Sequence, residues 1–537
     1  MKRFILSVVV VAILLVPVGP AHVAGVAAAA SPQSDRGLIV DAAVRHDVSP
    51  RLRDIPSSPS ARNLTERPLR GVPGEQSQAP VHDPVVQTAT VPFTAPMVLS
   101  FAGVGQDDYG YSDQWAPPDT NGAVGATQYV QWVNADFGVF DKATGALPLG
   151  FPKAGNAPWA GFGGGCETNN DGDPIVQYDK AANRWILTQF SVSTTPYLQC
   201  VAVSTTSDAT GSYNRYAFSY GNSFPDYPKL GVWPDAYYMT FNMFANGSSF
   251  AGPRVCAYDR TAMLAGAAAT QQCFQLGTSV HSLLPSDLDG ATAPPTGAPN
   301  VLARITASSS LQFWTFHVDF TNAANTTLTG PSTRPVAAYT RACNGGTCIP
   351  QPGTKQQLDS LADRAMYRFA YRKFSDHESW VVNHSVATTV VGHQASGSGI
   401  RWYELRRTQA SSSGLPAVFQ QGTYAPDSSY RWMGSIAQDK SGNIAVGYSV
   451  SSGTVRPSIR FAARAPTDSL GKLSAENNII DGAGSQLRNL SRWGDYSAMT
   501  MDPADDCTFW YTNEYLKADG TFNWSTLIYA FKLPGCH

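Results

Sequence analysis

From Asn121 onward, short runs of alternating apolar and polar residues are separated by clusters of Gly, Pro, Asn and Asp. Alternation with period two marks strands, and the punctuating residues mark turns. The runs 172–179, 184–193 and 198–204 show this, with Lys180-Ala-Ala-Asn183 and Thr194-Thr-Pro196 between them. Asp439-Lys-Ser-Gly442-Asn443 has the composition of a tight hairpin turn, because Gly and Asn accept positive φ at little cost. The run that begins at Ile444 fits the returning strand. Helix should be scarce, with 355–362 the best short candidate.

The strand runs fall into repeats. Pro118-Asp119-Thr-Asn121-Gly122, Gly172-Asp173-Pro174, Asp226-Tyr227-Pro228-Lys229, Asp287-Leu-Asp289-Gly290, Asp363-Arg364, Tyr430-Arg431-Trp432 and Ser491-Arg492-Trp493-Gly494-Asp495 each open one, about 60 residues apart. Units of that size with three or four strands predict radially packed sheets, so the expected fold is an all-β, seven-bladed β-propeller. The unit after Asp287 follows a long Pro/Gly stretch and is the weakest, which leaves six or eight blades open. The last unit shows only three runs. The run 97–104 is expected to supply its fourth strand and so remove an open edge.

The N-terminus carries Lys2 and Arg3, an apolar run from Phe4 to Val16, and small residues through Ala30. This reads as a secretory signal peptide over 1–30. Its apolar run is shorter than the roughly 20 residues a bilayer-spanning helix needs. Residues 31–96 are polar and Pro-rich without periodicity, which predicts an extended or disordered arm draped over the surface; a removable pro-segment is the alternative. The propeller then occupies 97–537.

Charged residues make up 15% of the chain, and the formal net charge is −2. There is no overall basic field to attract nucleic acid or an anionic membrane, and no membrane insertion is expected after signal cleavage. Eight cysteines, an even number in an exported chain, point to disulfides. Sequence alone does not fix their pairing; the local pairs Cys343 with Cys348, Cys256 with Cys273, Cys166 with Cys200 and Cys507 with Cys536 are the simplest. The expected location is secreted, extracellular or at the cell surface.

In a propeller the repeat-opening residues gather around one mouth of the central channel. That convergence brings carboxylates Asp119, Asp173, Asp226 and Asp289 toward Arg364, Arg368, Arg431 and Arg492, with Asp495 close by. Arginine grips carboxylates with a planar fork, so the cluster suits a carboxylate-bearing ligand. Carboxylates with split pKa values can act as general acid and base on a glycosidic bond, and Tyr227 beside Asp226 adds a nucleophile or proton donor. Asp226, Tyr227, Asp119 and Asp173 are therefore the catalytic candidates. The arginines, Asp495 and the ring-stacking residues Trp432, Trp493 and Tyr367 are the substrate-binding ones. The plainer reading is that Asp and Arg at equivalent blade positions pair between blades or cap strand amides.

No cofactor and no metal is assigned. Glu167-Thr-Asn169-Asn-Asp171-Gly-Asp173 spaces oxygen ligands as a calcium loop does, but Pro174 stands where the EF-hand pattern wants Gly, and an Asx/Gly turn fits better. Asp376-His377-Glu378 with His384 lacks the His-Glu-x-x-His spacing and reads as a solvated hairpin tip.

The segments 117–125, 172–179, 226–235 and 492–496 resemble those of a group of uncharacterised exported bacterial β-propeller proteins. The resemblance covers roughly 98–534 and implies a fold and an extracellular setting, without a reaction. A looser similarity is to sialidase-like propellers, whose Arg triad, Asp and Tyr imply such roles for Arg364, Arg431, Arg492, Asp226 and Tyr227. The Ser-x-Asp-x-Gly-x-Thr-Trp box of those proteins is absent. The functional expectation is hydrolysis or lyase chemistry on an extracellular polysaccharide or glycoside, an acidic one matching the arginines. The alternative is a non-catalytic secreted or cell-surface propeller that binds a glycan or protein.

Overall fold

The computed structural model describes Met1 and residues 37–56, 65–67, 69–73, 81–106, 108–109, 115–388, 390–391, 394–395, 397–408 and 414–537. Apart from Met1, the expected signal peptide lies outside the described residues. The described chain is all-β, and its α-helices are the short Gly165–Thr168 and Arg260–Ala265. The helix expected over 355–362 is absent. Leu358–Asp359 is instead a short strand paired with Thr347–Ile349. Asp359 bonds through its N–H to the Ser491 carbonyl and through its carboxylate to the Trp493 N–H and to Arg492. These long-range bonds outweigh a weak local helix tendency.

Successive strands run up and down in antiparallel groups. The first comprises Asn121–Val124, Gln128–Val133, Asp136–Asp141 and Lys153–Ala154. Next come Ile175–Asp179 through Tyr213–Gly221, and then Ser223–Val232 through Thr270–Gln275. The groups Leu284–Leu288 through Thr327–Pro335, Met366–Lys373 through Ala417–Tyr424, and Tyr430–Gln438 through Asn477–Ile480 are joined by parallel contacts, Ser286–Leu288 with Phe369–Tyr371 and Ser398 with Tyr430. The last group is Ala498–Met501, Thr508–Leu516 and Trp524–Lys532. Met97–Ala102 supplies its fourth strand, antiparallel to Trp524–Lys532 with Ala102 opposite Leu527, as expected.

The inner strands of these sheets are buried on both faces, whereas outer strands such as Thr327–Pro335 are partly exposed. All nine residues of Thr508–Leu516 are buried, polar ones included. Apolar faces stack on neighbouring sheets: Phe461 and Phe531 lie 4.0 Å apart, and Tyr129 of the first group stacks 5.3 Å from Trp510 of the last. Each such large apolar side chain contributes about 1.5–3 kcal/mol by leaving water. Polar side chains on the same strands pair across the seam, as where Gln131 donates to Thr512 (2.7 Å) and Thr526 (2.9 Å).

Parts of the Pro-rich segment lie along sheet edges. Ile39–Ala42 pairs with Thr270–Gln275, Arg45–Val48 with Tyr213–Gly221, and Val86–Gln87 with Ala417–Tyr424. All four simple disulfide pairs form: Cys166–Cys200, Cys256–Cys273, Cys343–Cys348 and Cys507–Cys536. No helix among the described residues is long and apolar enough to cross a membrane.

Two local readings resolve in the structure. Asp171 accepts the N–H groups of Val192 (2.6 Å) and Ser193 (2.8 Å), so its carboxylate braces a turn. The expected solvated hairpin tip is corrected at Glu378, which is buried and bonded twice to Arg407 at 2.6 Å. His384 is likewise buried, 3.0 Å from the Tyr403 hydroxyl.

Candidate active site

The repeat-opening residues sit where the chain enters the first strand of each group. Asp119 precedes Asn121–Val124, Asp173 precedes Ile175–Asp179, and Arg364 precedes Met366–Lys373. Asp226 and Tyr227 lie in Ser223–Val232, where the register breaks before Lys229. At these entries Asp119 (φ 49°), Asp173 (φ 45°) and Tyr227 (φ 54°) have left-handed backbone. Asp tolerates this region through local hydrogen bonds; a bulky Tyr is held there only by its surroundings.

A cavity of about 280 Å³ forms at this end of the strands. Asp119, Asp173, Asp226, Tyr227, Arg364, Arg492 and Asp495 all line it. Seven of the twelve expected site residues are thus brought together.

The carboxylates differ in their bonding. Asp119 accepts the Asp495 N–H at 2.7 Å, and its second oxygen lies 3.4 Å from the Asn134 amide nitrogen. Asn134 also accepts the Asp173 N–H at 3.2 Å, so one amide ties two repeat entries together. Asp119 therefore has a bracing role whatever else it does. Among the described residues no hydrogen bond reaches the side-chain carboxylates of Asp173 or Asp226. These two are the carboxylates with free capacity toward the cavity.

Burial raises the pKa of all three. Asp119 is held well above the usual carboxylate range by burial, then by the charges of Asp495 and Asp173. Asp173 is raised by burial, while the Lys229 ammonium opposes the shift. Asp226 is pushed up to about 7 by burial and then by Asp173, against the opposing charges of Arg70 and Arg364. The Tyr227 hydroxyl is buried without a hydrogen-bond partner among the described residues, and burial raises its pKa, keeping it protonated. Two neighbouring carboxylates with different environments are the arrangement that separates an acid from a base.

The arginines are already engaged. Arg364 holds Asp363 at 2.7 and 3.0 Å, and its guanidinium lies 4.6 Å from the Tyr227 ring centroid. Arg492 donates to the Arg67 carbonyl (3.0 Å) and Asp359 (2.8 Å) and pairs with Asp495 (2.5 Å). Most of their donors are spent on the chain itself, which weakens the expectation that they grip a ligand carboxylate.

Five expected residues do not line the cavity. Arg368 is buried in ion pairs with Asp287 and Asp289, and the Tyr367 hydroxyl donates to the Leu230 carbonyl at 3.1 Å. Arg431 pairs with Asp427 (2.9 Å) and Glu476 (2.8 Å), two carboxylates outside the cavity lining. Trp432 and Trp493 pack against each other in the core at 5.8 Å. At these positions the side chains are engaged in internal ion pairs, hydrogen bonds and packing.

Sequence reasoning missed Lys229, buried behind Tyr227 and outside the cavity lining, and the arm residues Glu66, Arg67, Leu69 and Arg70, which form part of the cavity wall with Trp115, Phe190 and Phe224. Lys229 is fully buried, and burial lowers its pKa to about 8 against the pull of Asp173, Asp495 and Asp119. Its signal was in plain view, three residues after Asp226. The arm offered none, because nothing periodic marks a segment that docks by a few side chains. Among the described residues no group of three or more His, Cys, Asp or Glu side chains is placed to hold a metal ion.

No protein-family model and no curated protein sequence matches the chain. Among solved structures it is similar to the polysaccharide lyase Uly1 (11% identity, 81% of this chain and 98% of that one, TM-score 0.37). It is also similar to an endo-arabinase from Bacteroides thetaiotaomicron (12%, 56% and 95%, 0.26) and to a Trypanosoma rangeli sialidase (8%, 66% and 54%, 0.31).

Proposed function

We propose that this chain is an exported protein that acts on an extracellular polysaccharide or glycoside at the cavity of Asp173, Asp226 and Tyr227. The reading takes 1–30 as a signal peptide, 31–96 as an arm and 97–537 as a seven-bladed propeller. The up-and-down strand groups and the Met97–Ala102 pairing support the blade count. Four disulfides fit an oxidising, extracellular setting.

The observation that carries the reading is the pair of cavity carboxylates, both raised in pKa, that accept no hydrogen bond among the described residues. Asp226, at about 7, is the group to donate a proton to a leaving oxygen near neutral pH. Asp173, restrained by Lys229, is the group to serve as base or nucleophile. The protonated Tyr227 hydroxyl is a second proton donor. In a lyase reaction on a uronate, the same groups would remove the proton beside the carboxylate and protonate the leaving oxygen.

The test is product release from the purified chain on neutral and uronate-containing polysaccharides, reading new reducing ends and unsaturated sugars together. Release that Asp226→Asn abolishes in folded protein is the expected result. Silence across the panel would leave the second reading, a non-catalytic propeller that binds a glycan or protein. That reading is favoured by Arg364 and Arg492, whose internal ion pairs make the site rigid. A glycan array and pull-downs with extracellular proteins would then identify the ligand.

A further inference from the structure

The cavity is built partly by a segment remote in sequence from the sheets around it. Thr65–Glu66 pairs in parallel with Trp115–Ala116, and the Arg67 N–H continues the ladder to the Ala116 carbonyl at 2.7 Å. The Arg67 carbonyl accepts from Arg492 at 3.0 Å. The segment is therefore read through its backbone, as an added strand is.

Its side chains are read too. The Arg67 guanidinium lies 4.6 Å from the Trp115 ring centroid and 5.7 Å from that of Phe190, with Asp171 at 3.6 Å. Arg70 lies 4.1 Å from the Phe224 centroid and 5.8 Å from that of Phe244, and it donates to the Gly247 carbonyl. Two arginines three residues apart each meet two aromatic rings, and Asp173 and Asp226 line the same cavity. Aromatic faces beside carboxylates are favourable seats for guanidinium groups.

We propose that this aromatic and acidic wall is a binding subsite for an extended, arginine-bearing peptide strand, and that residues 65–67 and 69–70 of the chain are its resident ligand, closing that side of the cavity. The segment is tethered on both sides, since Arg45–Val48 and Val86–Gln87 are paired to sheets. Tethering of this kind gives an internal ligand a high effective concentration and lets modest contacts exclude outside competitors. The inference is independent of the glycan reading, because it concerns what forms one wall of the cavity and not what is turned over there.

The experiment compares the full chain with its Arg67→Gln/Arg70→Gln variant by hydrogen exchange and by carbodiimide labelling of Asp173 and Asp226, read by mass spectrometry. The expected result is exchange at least tenfold faster at 65–70 and 115–116 in the variant. Labelling of both carboxylates should rise several-fold, with protection in Thr508–Leu516 unchanged as the folding control. A synthetic peptide of residues 65–73 added at millimolar concentration should restore both signals, and the same peptide with Gln at both arginines should not. Unchanged exchange and labelling in the variant would overturn the proposal, as would equal protection by the two peptides. Should the Gln variant lose its folding control, Arg67→Lys/Arg70→Lys, which keeps charge but not the planar fork, must show the same loosening in smaller degree for the proposal to stand.

Discussion

The ammonium of Lys229 lies 3.5 Å from the centroid of the Tyr227 ring, whose left-handed backbone turns the chain into the cavity. The Tyr496 ring is 4.1 Å away on another side, and Lys229 donates to the Pro228 carbonyl at 2.8 Å. This buried cation, boxed by two aromatic rings, stands in the field of Asp173, Asp495 and Asp119.

Lys229→Met should raise the pKa of Asp173, because Lys229 is the main charge holding it down. An opposite charge at such range lowers a carboxylate pKa by roughly 1–3. Carbon-13 NMR of labelled aspartate checks this directly. An Asp173 titration that does not move would mean that Lys229 is uncharged in the folded chain.

Asp226→Asn should stabilise the chain at alkaline pH and not at acid pH. With a folded pKa of about 7 against an ordinary 3.8, the native state holds this proton more tightly than the unfolded chain. Its stabilising contribution is full below about pH 4 and is lost as pH rises through 7. At pH 8 the ionised carboxylate costs up to a few kcal/mol, since each pH unit separating the folded from the unfolded pKa is worth roughly 1.4 kcal/mol. Thermal melts should therefore show Asp226→Asn above the parent at pH 8 and not at pH 4, while any glycan turnover disappears at both.

Arg431→Ala should leave ligand binding and turnover intact and lower stability. The guanidinium is fully buried and bridges Asp427 and Glu476, which are both partly exposed and of which Glu476 keeps its bond from Tyr448. Losing such charge-assisted hydrogen bonds costs about 1.5–3 kcal/mol. A lower midpoint in denaturant with unchanged ligand affinity is the expected pattern, and loss of affinity in a protein of parental stability would restore Arg431 to the site.

Removal of residues before Gly103 should expose the edge of Trp524–Lys532 and the Phe531 face. A bare strand edge recruits other chains. Size-exclusion chromatography should show aggregates for this deletion, whereas Cys507→Ser/Cys536→Ser should stay soluble and lose about 2–4 kcal/mol.

Much of this architecture was legible in the chain. Alternation and turn residues located the strands, because each strand's pleat and each turn's φ are local energies. The four disulfides join the simplest local pairs, cysteines 5 to 34 residues apart, although the sequence left their pairing open. Asp119, Asp173, Asp226, Tyr227, Arg364, Arg492 and Asp495 met because equivalent places in successive repeats fall at the same end of their sheets.

What the sequence by itself determined was therefore periodicity, turn chemistry and the common end at which the repeats open. Tertiary structure alone decided which charges face the cavity and which are consumed by neighbours. Arg364 and Arg368 stand four residues apart, yet one lines the cavity and the other is spent on Asp287 and Asp289. It also decided the seat of Arg67 and Arg70, and the burial that lifts Asp226 to about 7. Coulomb and desolvation energies depend on distances between atoms hundreds of residues apart, and no local pattern in the chain encodes those distances.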